Sequence, residues 1–352
     1  MLPFSRILEE KMKITIVAKR PCIRVAKEAF ALHALGHEIN LVSPVMDTDY
    51  PYSRVMYWSN PKELEDAVKL IDKETDIFVV HNEPTWPVMI VREALPDAKI
   101  VLDYHDSLYW YFDKEAEVVA PNEKARWFEE DYCVEVCNGF VVGFEDSRNE
   151  LRTRTDRPIS VVPPAALKTD YRYQTHNFQG GLVSQGGHAI PGQFTRIGEY
   201  WRDYTPLYKY LRGRCNVFAY VPTGDRVTQY YKPLVTSIDS QPYDVLLNKL
   251  GEHTWNLVGN WTDHVVWQYS APNKFYDALA AGVPSVVFHI KSVKEIIEED
   301  GLGIIIDHPD ELIERWDEAK ALRTQVMLKR GKYCMENFIG RAIDLYKEVI
   351  RD

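Results

Sequence analysis

The stretch "APNKFYDALAAGVPSVVFHI" (residues 271–290) has the pattern of a helix, a turn and a strand. A short polar start runs into an alanine-rich segment, and Gly282 and Pro284 separate that segment from an apolar run. Glycine can adopt the left-handed conformation that ends a helix, and a following proline prevents the helix from continuing. The pattern therefore predicts a helix that begins at an Asn273 cap and packs closely against a sheet.

The first turn of this predicted helix carries two charged residues. Lys274 and Asp277 are three residues apart, so their side chains share one edge of the helix. The N-terminus of a helix presents free N–H groups and a partial positive charge, which together favour phosphate binding. Lys274 would add a full charge there, and Asp277 suits hydrogen bonding to ribose hydroxyls. A capped helix with two solvated charges explains the same residues, so both interpretations stay open at this point.

Strand-like and helix-like segments alternate along the chain from residue 13 onward. Such a series predicts an α/β fold with mainly parallel sheets that helices cover on both faces. Pro163 and Pro164 end the first series, and a second series of similar size begins near residue 180. We predict an N-terminal domain over 1–168 and a C-terminal domain over 169–335. A closing helix at about 336–352 is expected to pack back on the N-terminal domain.

The composition is that of a globular protein. Hydrophobic residues make up 45% of the 352 residues, and the net charge is −10. A negative chain lacks the positive field that general binders of nucleic acids and of anionic membranes need. No apolar run approaches the roughly 20 residues of a membrane span. The five cysteines show no zinc-finger spacing and suit a reducing compartment, so we predict a cytoplasmic protein with no metal site.

The segment "PNKFYDALAAGVPSVV" (272–287) resembles the donor-site segment of GT-B glycosyltransferases, especially the large group of retaining enzymes that use nucleotide sugars. Four further segments are similar to parts of that family in the same order: "LHALGHEINLVSP" (32–44), "RWFEEDYCVEVCNGFVVGFEDSRNEL" (126–151), "LVSQGG" (182–187) and "ENFIGRAIDLYKEVI" (336–350). The resemblance implies the GT-B fold, in which two Rossmann-like, doubly wound parallel-sheet domains face a cleft. It also implies that the C-terminal domain holds most of the donor nucleotide.

The resemblance also implies donor-binding residues by position. Asp277 stands where the family has a ribose-binding Glu, and Gly186 and Gly187 stand in its glycine turn beside the phosphates. The family has a further Glu at the position of Tyr269, so a different group must meet the donor sugar here. The other implied residues are Asn273, Lys274 and Arg196 for the diphosphate, the Ser240–Tyr243 segment with Tyr243 for the base, and Ser270 near the sugar.

A second group of candidates lies at strand ends of the N-terminal series. His105 and Asp106 directly follow a predicted strand, at the edge where ligands of doubly wound sheets lie. The family often has such a pair there, and a histidine can act as a general base, so these are the predicted catalytic residues. The predicted acceptor-side residues are Lys19, Arg20, Arg24, His81 and Asn82. For the three basic ones, a solvated loop is an equally good explanation.

The combined prediction is a glycosyltransferase of the hexosyl- or pentosyltransferase class. It would transfer a sugar from a nucleoside-diphosphate sugar, with UDP or GDP as the nucleotide, to an acceptor hydroxyl with retention, using no metal and no cofactor. The alternatives are a GT-B nucleotide-sugar epimerase and an inactive module that binds nucleotide sugars. A dinucleotide oxidoreductase is disfavoured because no Gly-x-Gly-x-x-Gly follows the first strand.

The acceptor and the assembly state stay open at this stage. A glycan, a lipid-linked sugar, a small molecule and a modified DNA base all offer a suitable hydroxyl. The acidic balance makes DNA the least favoured of these, but the local basic stretches at 18–24 and 150–158 keep nucleic acid and peripheral membrane contact open. The sequence does not indicate an oligomeric state.

Overall fold

The chain folds into two parallel α/β units, each built on one sheet. The computed structural model describes residues 11–19, 21–45, 51–81, 85–104, 107, 121–172, 179–191, 202–221, 225–264, 266–270 and 272–352. The first sheet has seven strands and the second has six. All neighbouring strands in both sheets are parallel, as the alternating pattern predicts.

The first unit contains strands β1 (Lys13–Ala18), β2 (Glu38–Ser43), β3 (Arg54–Tyr57), β4 (Ile77–His81), β5 (Ile100–Asp103), β6 (Gly139–Val142) and β7 (Ile159–Val161). Its helices are α1 (Ile23–Ala34), α2 (Pro61–Ile71), α3 (Pro87–Ala94), α4 (Pro121–Val136) and α5 (Glu145–Leu151). The strand order is β3-β2-β1-β4-β5-β6-β7. The order reverses between β1 and β4, and ligands of doubly wound sheets bind beyond the carboxyl ends of such a pair.

The second unit contains strands β8 (Leu182–Gln185), β9 (Val217–Tyr220), β10 (Ser237–Asp239), β11 (Trp255–Val258), β12 (Ser285–Val287) and β13 (Gly303–Ile305), in the order β10-β9-β8-β11-β12-β13. Its helices are α6 (Thr205–Leu211), α7 (Asp225–Tyr231), α8 (Tyr243–Gly251), α9 (Val266–Tyr269), α10 (Asn273–Ala281), α11 (Lys294–Asp300), α12 (Pro309–Glu314) and α13 (Ala319–Lys329). The last helix, α14 (Met335–Arg351), follows them. The order of this sheet reverses between β8 and β11.

Local sequence signals explain where several elements begin and end. The Asn60 side chain accepts a hydrogen bond from the Glu63 backbone N–H at 3.0 Å, and Pro61 occupies the first position of α2. Helix α1 ends at Ala34, and Gly36 follows it with φ +95°, a left-handed conformation that suits glycine.

The two units share one apolar core. Side chains of α1, of α14 and of helices α9 and α10 belong to the same cluster of buried residues. The chain leaves the first unit after β7 and returns before α14, and the two crossings touch, because the Met335 N–H donates to the Ala166 carbonyl at 2.9 Å. Since this core runs through both units, the domain boundary at residue 168 stays a prediction.

The closing helix α14 lies against the first sheet. Gly139 at the start of β6 makes room for it, since a Cβ there would lie 2.9 Å from Cγ2 of Val349. The Ser160 hydroxyl of β7 donates to the Arg341 carbonyl at 3.0 Å. The last helix in the chain therefore packs on the unit in which the chain begins.

Candidate functional site

A cavity of about 530 Å³ opens at the carboxyl edge of the second sheet. Gly186 follows β8 and Gly259 follows β11, and both line the cavity at the reversal of strand order. Their φ angles are +85° and +83°. A Cβ on Gly186 would lie 3.0 Å from Cε of Lys274, and one on Gly259 would lie 2.3 Å from the Phe288 carbonyl oxygen. Both glycines are therefore needed for backbone conformation, and Gly259 is also needed for space, because its Cβ would meet a backbone oxygen.

All the predicted donor-binding residues that the structure describes line this one cavity. They are Gly186, Gly187, Tyr243, Ser270, Asn273, Lys274 and Asp277. Gln241, which belongs to the predicted Ser240–Tyr243 segment, also lines the cavity, as do Arg202, Tyr220 and Trp267, which the sequence did not single out. The second sheet therefore places a glycine turn, two cations, one carboxylate and several aromatic rings around the same space.

Helix α10 points its N-terminus at the cavity. It begins at Asn273, and Pro272 is its cap residue, so the predicted Asn273 cap is wrong. The Phe275 N–H already bonds to the Pro272 carbonyl at 3.1 Å, and no side chain caps the first turn. The helix ends as predicted, because Gly282 adopts the left-handed conformation at φ +74°. Of the first three N–H groups of α10, those of Asn273 and Lys274 thus stay available to a ligand.

Lys274 is held beside the glycine turn by an aromatic side chain. Its Nζ donates to the Tyr204 hydroxyl at 3.0 Å and lies 5.2 Å from the centroid of the Tyr204 ring. Its backbone carbonyl accepts from the Asn256 side chain at 3.3 Å, which ties the helix start to β11. Arg202 lies at the other side of the turn, because a Cβ on Gly187 would be 3.2 Å from its guanidinium. Two cations therefore flank the glycine turn.

His188 supports this arrangement from behind. Its ring stacks on Tyr204 at 4.3 Å between centroids, its Nδ1 lies 2.9 Å from the Gly186 carbonyl oxygen, and its Nε2 lies 2.6 Å from the Tyr208 hydroxyl. Burial, followed by the charge of Lys274, lowers the pKa of His188 to about 3. The ring is therefore neutral at physiological pH and adds no charge to the pair of cations.

Asp277 lies one helical turn from Lys274 and is 5% exposed. Its Oδ1 accepts from Nζ of Lys27, on α1 of the first unit, at 3.0 Å and from the Tyr243 hydroxyl at 2.9 Å. Burial and then the Asp277 charge raise the pKa of Tyr243, so the tyrosine is a neutral donor. The carboxylate thus faces the cavity while side chains from both units fix one of its oxygens.

No family model matches the sequence, and a search of curated proteins gives no match. The structure, in contrast, is similar to many solved structures. WaaG, a glycosyltransferase involved in lipopolysaccharide biosynthesis, has a TM-score of 0.65 at 12% identity, over 95% of this chain and 99% of WaaG. An alpha-glucosyltransferase in complex with UDP-glucose and DNA containing an abasic site has a TM-score of 0.62 at 14% identity, over 97% and 100%. The UDP-GlcNAc 2-epimerase from Methanocaldococcus jannaschii has a TM-score of 0.55 at 12% identity, over 96% and 100%.

The chain has the GT-B fold. The two reversing parallel sheets and the match over nearly the full length of each neighbour decide this. Identities this low establish only the fold, so the chemistry must be argued from the residues of the cavity.

The first unit of the GT-B fold holds two of the predicted acceptor-side residues in its interior. Arg24 is 2% exposed and His81 is 3% exposed, so neither belongs to a solvated loop or to an open surface. Nε of Arg24 lies 3.0 Å from Oδ2 of Asp103, and its NH2 donates to the Val162 carbonyl at 3.0 Å. Arg24 is buried because it satisfies carboxylate and carbonyl groups at the carboxyl edge of the first sheet. Lys19 lies nearer the surface, 5.4 Å from the Trp86 ring centroid.

Among the described residues, the group with the spacing of a metal site is Glu28, His81 and Asp103, whose ligand atoms lie within 4.8 Å of one another. Nε of Arg24 lies 3.0 Å from Oε1 of Glu28 as well as from Asp103. Burial and then the charge of Asp103 raise the pKa of Glu28 well above its usual value. The guanidinium already supplies positive charge to these carboxylates, so the group forms a buried ionic cluster.

Several predicted residues lie outside the described parts of the chain. They are His105 and Asp106, the predicted catalytic pair, with Arg20, Asn82 and Arg196. For Tyr269 the structure describes the backbone, which ends α9, but not the side chain. The roles of these residues stay predictions. None of the helices that the structure describes is long and apolar enough to cross a bilayer.

Three of the residues that sequence reasoning missed differ in whether any signal could have found them. Arg202 could have been found, because it is a second cation only six residues after the predicted Arg196. His188 directly follows the glycine turn, but a lone histidine carries no signal of its own. Lys27 is 250 residues from Asp277, and no local pattern could connect them.

Proposed function

We propose that this protein is a glycosyltransferase that moves a sugar from a nucleoside-diphosphate sugar to an acceptor hydroxyl. One observation carries the proposal: a single cavity combines a glycine turn, a helix N-terminus and two cations with a carboxylate one helical turn away. A nucleoside diphosphate has the complementary polarity, because its anionic diphosphate is joined to a neutral ribose that carries two hydroxyls.

The diphosphate fits between Lys274 and Arg202. The glycine turn lets phosphate oxygens approach the backbone, and the N-terminus of α10 lines the same cavity at Asn273 and Lys274. These groups are fixed before the reaction, so they can stabilise the charge that develops on the leaving diphosphate. We therefore propose that turnover needs no divalent cation, and equal rates in EDTA and in Mg²⁺ are the expected result.

We propose positions for the rest of the donor along the same cavity wall. Asp277 would bind the ribose, the segment at Gln241 and Tyr243 would border the base, and Ser270 would lie near the sugar. We propose retention of the anomeric configuration, which rests on the resemblance of residues 272–287. Proton NMR of the first-formed product checks this through the coupling constant of the anomeric proton. A value typical of the anomer opposite to that of the donor would contradict retention.

The test of the proposed function is a titration followed by a turnover assay. Wild-type protein is titrated by calorimetry with UDP, GDP and ADP, and then incubated with the matching nucleotide sugars. We expect one nucleotide to bind and its sugar to be slowly hydrolysed to free nucleoside diphosphate in the absence of acceptor. A variant outside the cavity, Lys332→Met, should bind and turn over like wild type. Lys332 pairs with Asp300 at 2.9 Å and is not part of the cavity wall. No binding of any nucleotide would end the proposal, and binding with no turnover on any acceptor would indicate an inactive module.

A nucleotide-sugar epimerase is the second candidate, because the fold is shared with a UDP-GlcNAc 2-epimerase. The two activities give different products from the same incubation. An epimerase converts one nucleotide sugar into another with the diphosphate linkage intact. A transferase releases the nucleoside diphosphate, and the release accelerates when the right acceptor is present.

We propose a saccharide or small-molecule acceptor rather than DNA. One structural neighbour was solved with DNA, but this chain has a net charge of −10. Proteins that grip the phosphate backbone need a positive surface, and their affinity falls steeply with salt. Gel-shift assays with duplexes that carry a hydroxymethylated base are expected to show no complex at 150 mM salt. A complex at that salt would reverse the choice.

A further inference from the structure

Lys27 reaches from the first unit to the wall of the cavity in the second. Its side chain is 1% exposed, and its Nζ lies 3.0 Å from Oδ1 of Asp277. The same nitrogen lies 4.9 Å from the centroid of the Tyr243 ring. Removing an ammonium group from water is costly, and an apolar side chain would fill this space at lower cost. The charge of Lys27 therefore calls for an explanation beyond packing.

The two oxygens of Asp277 have different surroundings. Oδ1 accepts from both Lys27 and Tyr243, at 3.0 Å and 2.9 Å. Within the described parts of the chain, no hydrogen bond or ion pair reaches Oδ2, although Asp277 lines the cavity. An ionised carboxylate has about four acceptor positions, so two donors at one oxygen leave the other able to accept. The side chain is held by one oxygen and offers the second.

We propose that Lys27 is a positioning residue for the donor, which fixes Asp277 so that Oδ2 accepts hydrogen bonds from the ribose hydroxyls. This inference rests on the proposed function of the cavity. The first unit then takes part in donor binding through α1, the helix that follows its first strand. The ribose contact is then complete only while α1 is docked on the second unit.

The length of the acidic side chain explains why such help is needed. The resemblance places a Glu at the position of Asp277, and Asp is shorter by one methylene group. A shorter carboxylate needs a defined orientation to meet two neighbouring hydroxyls. Tyr243 alone gives one contact, and its hydroxyl also lies 3.4 Å from Oδ2 of Asp170, a competing acceptor. The Lys27 ammonium supplies the second contact and fixes the plane of the carboxylate.

The test compares nucleotides that differ only at the ribose. Calorimetry measures the Kd of UDP and GDP and of their 2′-deoxy and 3′-deoxy forms for wild type, Lys27→Met and Lys27→Gln. Hydrogen bonds to a charged group are worth roughly ten- to a hundredfold in affinity, so wild type should prefer the full ribose by about that factor. Lys27→Met should lose most of this preference while its affinity for the deoxy nucleotides stays nearly unchanged. Lys27→Gln keeps an N–H donor and should retain part of the preference.

The outcomes distinguish a failure of the proposed function from a failure of the inference about Lys27. A wild type that binds no nucleotide overturns the proposed function and this inference with it. A wild type that prefers the full ribose, with a Lys27→Met variant that weakens all nucleotides equally, overturns only the inference and makes Lys27 structural. Tighter binding of UDP or GDP by Lys27→Met also overturns it, because the ion pair would then compete with the ribose.

Folding is controlled with two further variants. Lys27→Met leaves a buried carboxylate without its cation, whereas Lys27→Met/Asp277→Asn removes both charges and should fold like wild type. The double variant should show no preference for the full ribose. Lys332→Met loses a different ion pair with a carboxylate that is 8% exposed, and it should keep the wild-type preference. If Lys27→Met is unfolded in thermal melts, Lys27→Gln decides, and a full wild-type preference in that variant refutes the inference.

Discussion

Acidification should destabilise the protein through His188. Burial and the nearby Lys274 lower the pKa of this histidine to about 3 in the folded chain, against 6.5 for an unperturbed histidine. The unfolded chain therefore binds more protons between these two values, and stability is lost as the pH falls from 6.5 towards 3. Each unit of the difference is worth 1.36 kcal/mol, so the window spans roughly 5 kcal/mol in total. Lowering the pH from 7 to 5 should cost about 2 kcal/mol through this residue alone.

The assay is urea denaturation of wild type and of His188→Gln at pH 7 and pH 5. The variant loses the stack on Tyr204 and should be less stable at pH 7. Its further loss on acidification should be about 2 kcal/mol smaller than that of wild type, because no imidazole is left to protonate. Other buried groups titrate equally in both proteins, and the comparison cancels them. His33→Gln, at an exposed position of α1, should behave like wild type. Equal acid losses in wild type and His188→Gln would refute the reasoning.

Three further substitutions probe the cavity. Asp277→Ala should weaken nucleotide binding by roughly ten- to a hundredfold, because it removes the charged acceptor for the ribose, and calorimetry checks this. Lys274→Ala should lower kcat by roughly a hundredfold with a smaller effect on KM, since the ammonium acts on developing charge; steady-state kinetics measure both. Unchanged values in both variants would show that the nucleotide binds elsewhere. Gly186→Ala should cost about 1 kcal/mol or more in thermal denaturation, because its φ is +85° and the new Cβ would lie 3.0 Å from Lys274. Gly340→Ala in α14 meets no atom within 4 Å and should stabilise by about 0.5–1 kcal/mol, and the opposite order would contradict the conformational argument.

The parts of the fold that the sequence predicts are those with strong local signals. Buried strands such as β4 and β11 read as apolar runs bounded by polar residues, and α2 carries a cap and a proline at its start. No sequence signal marks the edge strands β3 and β10, because their side chains are half-buried or exposed and form no continuous apolar run. Helix α7 has no comparable signal in its seven residues and was missed as well.

The same division holds within the cavity. Gly186, Lys274 and Asp277 could be found because each belongs to a short segment with a recognisable pattern. The partners that hold Lys274 and Asp277 could not, since Tyr204 and Lys27 lie 70 and 250 residues away. Local patterns also fix helix ends only approximately. The helix over this segment was predicted correctly, but its cap residue is Pro272, one residue before the predicted Asn273.

The contact between the two chain crossings determines which motions the units can make. One crossing alone would act as a swivel and allow rotation about any axis. Here the backbone at Ala166 and Met335 is hydrogen-bonded, so two adjacent strands of chain link the units. Two linked crossings resist twisting and leave bending about a line across both as the soft motion. Bending that separates α1 from α10 would stretch the Lys27–Asp277 ion pair and expose part of the apolar core that these two helices share, so these contacts favour the docked arrangement of the two units.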